Sequence, residues 1–220
     1  MRRVRIKICC IQSADEARLA IAAGADALGL VGTMPSGPGP IDNELIATIA
    51  ARVPPPVATF LLTSETEADA IIAHARCCRT NTLQLVDRVA DEAYPKLRRA
   101  LPGIKLVQVI HVAGEASVAE AVAAAAHADA LLLDSGQPHA AVKVLGGTGR
   151  IHDWAVSRRI VEAAACPVFL AGGLRADNVG VAIATVGSFG VDVCTGVRRA
   201  DYSLDPERLE AFVAAVAAAA

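Results

Sequence analysis

The sequence predicts an α/β protein folded as a parallel eight-stranded (β/α)8 barrel, or TIM barrel. Eight apolar, β-branched segments alternate along the chain with eight segments whose apolar residues follow helical spacing. The apolar segments are continuous runs, which is typical of parallel strands covered by helices on both faces. A length of 220 residues matches one barrel of roughly 200 to 250 residues. We therefore expect a single domain over residues 1–220.

The predicted strands and helices alternate to the end of the chain. We expect strands at Arg5–Cys10, Ala27–Val31, Val57–Leu62, Thr82–Val86, Lys105–Val112, Ala130–Asp134, Pro167–Ala171 and Gly190–Cys194. We expect helices at Ala14–Ala23, Asn43–Arg52, Glu65–Arg76, Asp91–Leu101, Val118–His127, Ala155–Ala165, Asn178–Val186 and Pro206–Ala219.

Local signals support the order and direction of these elements. Ser13 precedes two acidic residues at the start of the first helix, and Gly24 follows the end of that helix. Asp205 and Pro206 supply an N-cap and a first-turn proline to the last helix. The main alternative is an open doubly wound sheet, whose first turn would carry G-x-G-x-x-G. Residues 10–13 contain no glycine, so the closed barrel is favoured.

Composition and charge exclude several classes of function. The formal net charge of −2 gives no electrostatic reason to bind nucleic acid or an anionic membrane. No apolar run approaches the roughly 20 residues that span a bilayer, and the N-terminus has no signal-peptide character. The six cysteines show no C-x-x-C spacing, so we expect neither a disulfide framework nor a metal site. These observations predict a cytoplasmic protein.

Candidate functional residues follow from the predicted barrel, because ligands of such barrels bind at the C-terminal ends of the strands and in the loops that follow. Asp134 ends the sixth strand directly after the apolar run Leu131–Leu133, where an unpaired carboxylate is costly. It is a candidate acid, and the structural alternative is an aspartate that caps a helix or a turn. Lys7 and Cys9 share one face of the first strand, and a nearby ammonium favours the thiolate form of a cysteine.

Strand geometry separates the two adjacent cysteines. Neighbouring side chains on a strand point to opposite faces, so we expect only one of Cys9 and Cys10 to face the inside of the barrel. A buried cysteine that acts only as a small apolar side chain is the structural alternative for Cys9.

Three glycine-containing loops predict a phosphate site. Gly146–Gly149 precedes a helix, Gly172-Gly173 follows the seventh strand, and Thr195-Gly196 follows the eighth. Glycine allows backbone N–H groups to approach an anion closely, and barrels commonly bind phosphate in their last two loops. The candidate substrate-binding and phosphate-binding residues are Lys7, Gly147, Thr148, Gly149, Gly172, Gly173, Asp192, Thr195 and Gly196. The expected partner is a phosphorylated small molecule.

These motifs together resemble the phosphoribosylanthranilate isomerase family over essentially the whole chain. The resemblance rests on Lys7-Ile8-Cys9, Gly24–Gly29, Gln84-Leu85, Leu131–Asp134, Gly146–Gly149, Asp153-Trp154, Leu170–Leu174 with Asn178-Val179, Gly190–Val193 and Gly196-Val197. It implies an Amadori rearrangement of an aminoaldose phosphate to an aminoketose phosphate in tryptophan biosynthesis, with no cofactor. It also implies that Cys9 is the general base, that Asp134 is the general acid, and that backbone amides of Gly147, Gly149, Gly173 and Gly196 hold the phosphate.

The chain departs from the family pattern at several positions. Compared with the family, Cys10 replaces a glycine, Gly39 an arginine, Val86-Asp87 a His-Gly pair, Gln108 a lysine, Cys194-Thr195 a Ser-Ser pair and Arg198 an acidic residue. Two alternatives to the family activity therefore stay open. The first is an isomerase or lyase for another phosphorylated sugar amine, and the second is a non-catalytic barrel that binds a phosphorylated ligand. A monomer and a homodimer are both compatible with the sequence.

Overall fold

A computed structural model of the protein describes residues 3–136 and 151–219. Eight parallel strands close into a barrel in chain order, and the last strand pairs with the first. The predicted fold class is therefore confirmed. The strands are β1 (Arg5–Ile8), β2 (Ala27–Val31), β3 (Ala58–Thr63), β4 (Thr82–Leu85), β5 (Lys105–His111), β6 (Ala130–Asp134), β7 (Val168–Leu170) and β8 (Gly190–Val193).

Eight helices surround the barrel in the described residues, one after each strand. They are α1 (Ala14–Ala22), α2 (Asn43–Ala50), α3 (Ala68–Cys78), α4 (Ala93–Ala100), α5 (Ala116–Ala125), α6 (Trp154–Ala163), α7 (Val179–Val186) and α8 (Pro206–Ala219). A short 3₁₀ helix, Thr195–Val197, lies between β8 and α8. Within the described part of the chain, no helix is long and apolar enough to cross a membrane.

The helix signals read from the sequence have the expected contacts. The Ser13 side chain accepts a hydrogen bond from the Glu16 N–H at the start of α1, and Asp205 accepts from the N–H of Glu207 in the first turn of α8. Gly24 follows α1 with a φ of 106°. The largest boundary difference is at α3, which begins at Ala68 instead of Glu65. There the Thr63 hydroxyl accepts from the Glu65 N–H, so a side-chain turn replaces the first helical turn.

Alternation of side chains along the strands creates two buried layers. One set faces outward and packs under the helices, including the fully buried Ile8, Leu28 and Leu61. The other set fills the barrel interior. Phe60 and Phe169 meet edge to face with ring centroids 6.0 Å apart, which is a favourable aromatic geometry. The interior cluster contains Cys9, Cys10, Ala27, Val31, Phe60, Leu62, Val86, Val107, Val109, Ala130, Leu132, Phe169 and Ala171.

The interior packing predicts opposite effects for two glycine substitutions. A Cβ at Gly190, the first residue of β8, would lie 2.7 Å from the Phe169 ring and 2.9 Å from the Arg5 carbonyl oxygen. A Cβ at Gly180 in α7 would meet only the Ala219 Cβ, at 3.8 Å. We expect Gly190→Ala to lower the free energy of unfolding by about 1–3 kcal/mol through overpacking. Gly180→Ala should raise it by about 0.5 kcal/mol through helix propensity.

Urea denaturation followed by circular dichroism measures both changes. Equal effects of the two variants, or a stabilising Gly190→Ala, would contradict the packing of the barrel interior described above.

Candidate active site

A cavity opens at the C-terminal end of the barrel, where the predicted site residues converge. Including its open mouth, the space measures about 720 Å³. Cys9, Asp134, Gly172, Gly173, Asp192 and Thr195 all line it, as the sequence predicts. Gly147, Thr148 and Gly149 lie outside the described residues. The other lining residues are Cys10, Val31, Met34, Ser36, Gly37, Pro38, Leu62, Gln84, Val86, Ala171, Leu174, Val193 and Cys194.

A buried ion pair lies at the floor of the cavity. Lys7 on β1 and Asp192 on β8 are paired in register, and the Lys7 Nζ donates to Asp192 Oδ1 at 2.9 Å. Lys7 is fully buried and does not line the cavity. Although burial alone would lower it, the pKa of Lys7 is raised because Asp192, Cys9 and Cys10 favour its positive charge. A fixed cation therefore lies beneath the cysteines.

Cys9 has the environment of a thiolate. A hydrogen bond from the Cys10 thiol and the charge of Lys7 lower the pKa of Cys9, although burial and Asp192 oppose the shift. A Cβ on Gly29 would lie 2.7 Å from Cys9 Sγ and 3.0 Å from Lys7 Nζ, so the two groups meet above this glycine. The predicted shared face of Lys7 and Cys9 is confirmed, and the thiolate form of Cys9 that these surroundings favour can accept a proton.

The prediction that only one of the two cysteines faces the barrel interior is wrong. Both thiols line the cavity, because β1 ends at Ile8 and Cys10 adopts a left-handed backbone conformation with a φ of 61°. Strand alternation therefore stops before Cys10. The Cys10 Sγ contacts the Cys194 Sγ at 2.7 Å. This hydrogen bond, the one to Cys9 and burial together raise the pKa of Cys10.

Cys10 also explains the glycine at position 39. A Cβ on Gly39 would lie 2.7 Å from the Cys10 Cβ and 3.1 Å from its Sγ. Gly39 has a φ of 88°, a conformation that L side chains rarely adopt. The departures at positions 10 and 39 are therefore one structural change, in which the Cys10 side chain fills the space beside the loop after β2.

The surroundings of Asp134 shift its pKa upward. The residue ends β6 and is half-buried at the cavity wall. Burial raises the pKa of Asp134, although the Ser135 N–H, which donates to Oδ1 at 2.7 Å, and His111 oppose the shift. The helix after β6 begins at Trp154 and is capped by Asp153, so Asp134 does not cap it. One cavity thus holds a cysteine with a lowered pKa and an aspartate with a raised pKa.

The loops after β7 and β8 touch each other beside the cavity. Gly172 and Gly173 have positive φ angles of 82° and 65°. The Asn178 side chain closes their loop by donating to the Gly173 carbonyl oxygen at 3.0 Å. A Cβ on Gly196 would lie 2.1 Å from the Leu174 carbonyl oxygen, so only glycine allows this approach. The predicted glycines at 172, 173 and 196 are required by the backbone, and an anion site here stays a prediction.

Gln84 and His111 are polar residues of the site that the sequence did not single out as ligands. Gln84 lines the cavity and is 3% exposed. His111 lies beside Asp134 on the neighbouring strand and contacts the Val86 carbonyl oxygen through Nε2, at 2.9 Å. Among the described residues, Gln84 Oε1 and His111 Nδ1 have no hydrogen-bond partner. Sequence reasoning could have found Gln84 and His111, because each is a polar residue at a strand position whose side chain faces the barrel interior.

Gln108 lies in the outer layer instead of the site. Its side chain accepts from the Tyr94 hydroxyl at 2.7 Å and donates to the Leu85 and Asp87 carbonyl oxygens at 3.1 and 3.0 Å. The departure from the family at this position therefore does not alter the cavity wall. The described residues that line the cavity include no lysine or arginine, and the described part of the chain has no cluster of three or more metal-ligating side chains.

Comparisons with known proteins agree on one family. The family model described as N-(5′-phosphoribosyl)anthranilate (PRA) isomerase matches residues 6–215. N-(5′-phosphoribosyl)anthranilate isomerase from Chromohalobacter salexigens is 39% identical, with 98% of this chain and 95% of that protein covered. N-(5′-phosphoribosyl)anthranilate isomerase 2 from Methanosarcina mazei is 33% identical, with coverage of 96% and 92%.

Solved structures show the same similarity. Phosphoribosyl anthranilate isomerase from Thermotoga maritima superposes with a TM-score of 0.84 at 27% identity, covering 98% of this chain and 99% of that one. A phosphoribosyl anthranilate isomerase in complex with reduced 1-(o-carboxyphenylamino)-1-deoxyribulose 5-phosphate gives a TM-score of 0.81 at 25% identity, with the same coverage.

The charge of Lys7 predicts how the reactivity of Cys9 depends on pH. Lys7→Met removes a cation that stabilises the thiolate, so the pKa of Cys9 should rise and its alkylation should reach half its maximal rate at a higher pH. Removing both charges with Lys7→Met and Asp192→Asn should give a smaller upward shift, because Asp192 opposes Lys7. Iodoacetamide labelling of Cys9 followed by mass spectrometry measures this.

Lys96→Met is the matched control for this experiment, since Lys96 pairs with Asp69 on the surface. A control shift as large as that of Lys7→Met, or a downward shift in Lys7→Met, would refute the assigned role of Lys7.

The two glutamines on β4 and β5 predict opposite outcomes when each is changed to leucine. Gln84→Leu removes a buried amide oxygen that has no hydrogen-bond partner in the described part of the chain, so the free energy of unfolding should rise by about 1 kcal/mol. If Gln84 Oε1 accepts from a sugar hydroxyl, the same change should weaken binding of ribose 5-phosphate by about tenfold. Gln108→Leu removes the hydrogen bonds to the Tyr94 hydroxyl and to three carbonyl oxygens and should cost about 2–3 kcal/mol of stability. It should leave binding by the folded protein unchanged.

Denaturant unfolding and calorimetric titration separate these effects. If Gln84→Leu destabilised the protein and kept full affinity, Gln84 would be a structural residue.

Proposed function

This chain belongs to the N-(5′-phosphoribosyl)anthranilate isomerase family, and we propose that it isomerises N-(5′-phosphoribosyl)anthranilate with Cys9 as the general base and Asp134 as the general acid. The reaction is an aldose–ketose Amadori rearrangement in tryptophan biosynthesis. The observation that carries the assignment is the opposite displacement of two pKa values in one cavity, lowered for Cys9 and raised for Asp134. Surroundings that displace the pKa values of two titratable groups in opposite directions are typical of an acid and a base that work as a pair.

The first step uses Asp134. Its carboxyl proton passes to the furanose ring oxygen, the bond between C1′ and that oxygen breaks, and the nitrogen lone pair forms an iminium ion at C1′. Burial supports this role, because it raises the pKa of Asp134 and so favours the protonated form that donates.

The second step uses Cys9. Its thiolate removes the proton from C2′, and the C2′–H electron pair forms a C1′=C2′ bond while the iminium nitrogen regains its lone pair. The resulting enolamine becomes the aminoketose when C1′ gains a proton and the C2′ hydroxyl loses one. Oxidation at C2′ balances reduction at C1′, so the rearrangement consumes no external oxidant. Lys7 supports the step by stabilising the thiolate.

The cavity walls support an orientation for the substrate. The phosphate would bind at Gly172-Gly173 and Thr195-Gly196, with the proposed addition of Gly147, Thr148 and Gly149 from outside the described residues. The sugar would lie between Cys9 and Asp134. The anthranilate ring would contact the apolar wall formed by Val31, Met34, Leu62 and Val86.

Turnover assays with N-(5′-phosphoribosyl)anthranilate and other phosphoribosylamines distinguish the proposed function from the two alternatives left open by the sequence. A protein specific for another amine would turn over other phosphoribosylamines faster than the anthranilate compound. A non-catalytic barrel would bind the substrate and leave it unchanged. The cytoplasmic location and the single domain over residues 1–220 stay predictions, and light scattering after size exclusion distinguishes a monomer from a homodimer.

We predict that Cys9→Ala and Asp134→Asn each lower kcat/KM for N-(5′-phosphoribosyl)anthranilate by roughly 10²–10⁴-fold, because each removes one proton-transfer group. Both variants should fail to restore growth of a tryptophan auxotroph lacking the isomerase. Cys77→Ala changes an exposed cysteine and should keep wild-type activity. Absence of turnover by the wild-type protein would overturn the proposed function.

A further inference from the structure

An ion pair between Arg198 and Glu16 lies beside the loop that carries Cys9. Arg198 is 2% exposed and follows the 3₁₀ helix that carries Thr195 and Gly196. Its Nη1 contacts Glu16 Oε1 and its Nη2 contacts Glu16 Oε2, both at 3.1 Å. This is the bidentate geometry of an arginine and a carboxylate, which fixes orientation as well as distance.

The same guanidinium holds the backbone of the two cysteines. Arg198 Nη2 donates to the carbonyl oxygens of Cys9, at 3.2 Å, and of Cys10. Arg198 Nη1 also donates to the Tyr202 carbonyl oxygen at 2.6 Å. One side chain from the segment after β8 therefore joins that segment to the loop after β1.

Glu16 completes the connection between the two loops. Its Oε2 accepts from the Gln12 N–H at 2.9 Å, and its Oε1 accepts from the Leu204 N–H at 2.9 Å. Each carboxylate oxygen thus accepts from the guanidinium and from one backbone amide, so both oxygens are well satisfied. Glu16 and Arg198 each constrain the other and both loops.

Cys9 depends on this connection for its direction. Its N–H donates to the Val193 carbonyl oxygen at 2.8 Å, and its carbonyl oxygen accepts from Arg198. Both backbone polar groups of Cys9 are therefore fixed by β8 and the segment after it. The next residue, Cys10, has a left-handed backbone conformation with a φ of 61°, which a residue with a side chain keeps only when its surroundings enforce it.

We propose that Arg198, aligned by Glu16, is a positioning residue that fixes the Cys9–Cys10 backbone and so aims the Cys9 thiol at the substrate carbon that loses its proton. This inference rests on the proposed role of Cys9 as the base. Arg198 contacts backbone oxygens instead of the Cys9 thiol, so it acts on geometry. It also joins the loop that carries the base to the segment that carries Thr195 and Gly196.

Kinetics of three variants test the proposal. Arg198→Lys keeps the charge but loses the fork that reaches two carbonyls and a carboxylate. We expect kcat to fall by on the order of tenfold to a hundredfold, as misplacing a reacting group does, with KM changed less than threefold. Arg198→Met combined with Glu16→Met removes both charges and should show the same loss of kcat per folded molecule. Arg199→Lys, an exposed neighbour, is the matched control and should keep wild-type kcat.

Two further measurements separate positioning from stability and from charge. If the ion pair only stabilised the fold, the folded double variant would have wild-type kcat, and that result would overturn the proposal. The pH at half-maximal alkylation of Cys9 should not change in Arg198→Met, which removes the charge, and an upward shift would instead assign Arg198 an electrostatic role.

Hydrogen exchange tests the connection without turnover. The amides of Gln12 and Leu204 should exchange more than tenfold faster in Arg198→Met than in the wild type. Unchanged exchange would refute the connection of the two loops through Arg198 and Glu16. Loss of turnover in the wild type would refute the proposed function, whereas equal kcat of wild type and Arg198→Lys would refute only the positioning role.

Discussion

The ion pair between Lys7 and Asp192 joins the first and last strands at the seam where the barrel closes. Taking both charges out of water is costly, and the pair compensates for this cost only if its geometry is kept. Its position also sets the electrostatics of the cavity, because Lys7 lowers the pKa of Cys9 and acts on Asp134 as well. The seam of the barrel and the proposed acid–base chemistry therefore share one contact.

Much of the fold could be predicted because hydrophobic runs and caps are local signals. The predicted bounds of β2 and β6 agree with the structure to the residue, and Ser13 and Asp205 cap their helices as expected. The position of Asp134 followed from the same pattern, since a carboxylate that directly ends a buried strand must lie at the barrel mouth.

Other features depend on contacts between distant residues and could not be predicted. The direction of Cys10 depends on a left-handed backbone angle, which the strand pattern does not encode. The outward direction of Gln108 follows from the register of β5 and from Tyr94, fourteen residues earlier in the chain. The departures from the family pattern therefore differ in their effect on the site. Gln108 belongs to the outer layer and leaves the cavity unchanged, whereas Cys10 and Gly39 together shape the cavity wall.

The close approach of Cys10 and Gly39 constrains the order in which these two positions can change during evolution. A side chain at position 39 collides with the cysteine at position 10, so neither site tolerates bulk while the other has it. A stepwise mutational path between a chain with a side chain at 39 and this one avoids the collision by passing through glycine at both positions. The intermediate would have neither side chain, and the wall of the cavity beside the loop after β2 would be open at that stage. Selection at one position is therefore conditional on the residue at the other, a case of epistasis set by a single interatomic distance.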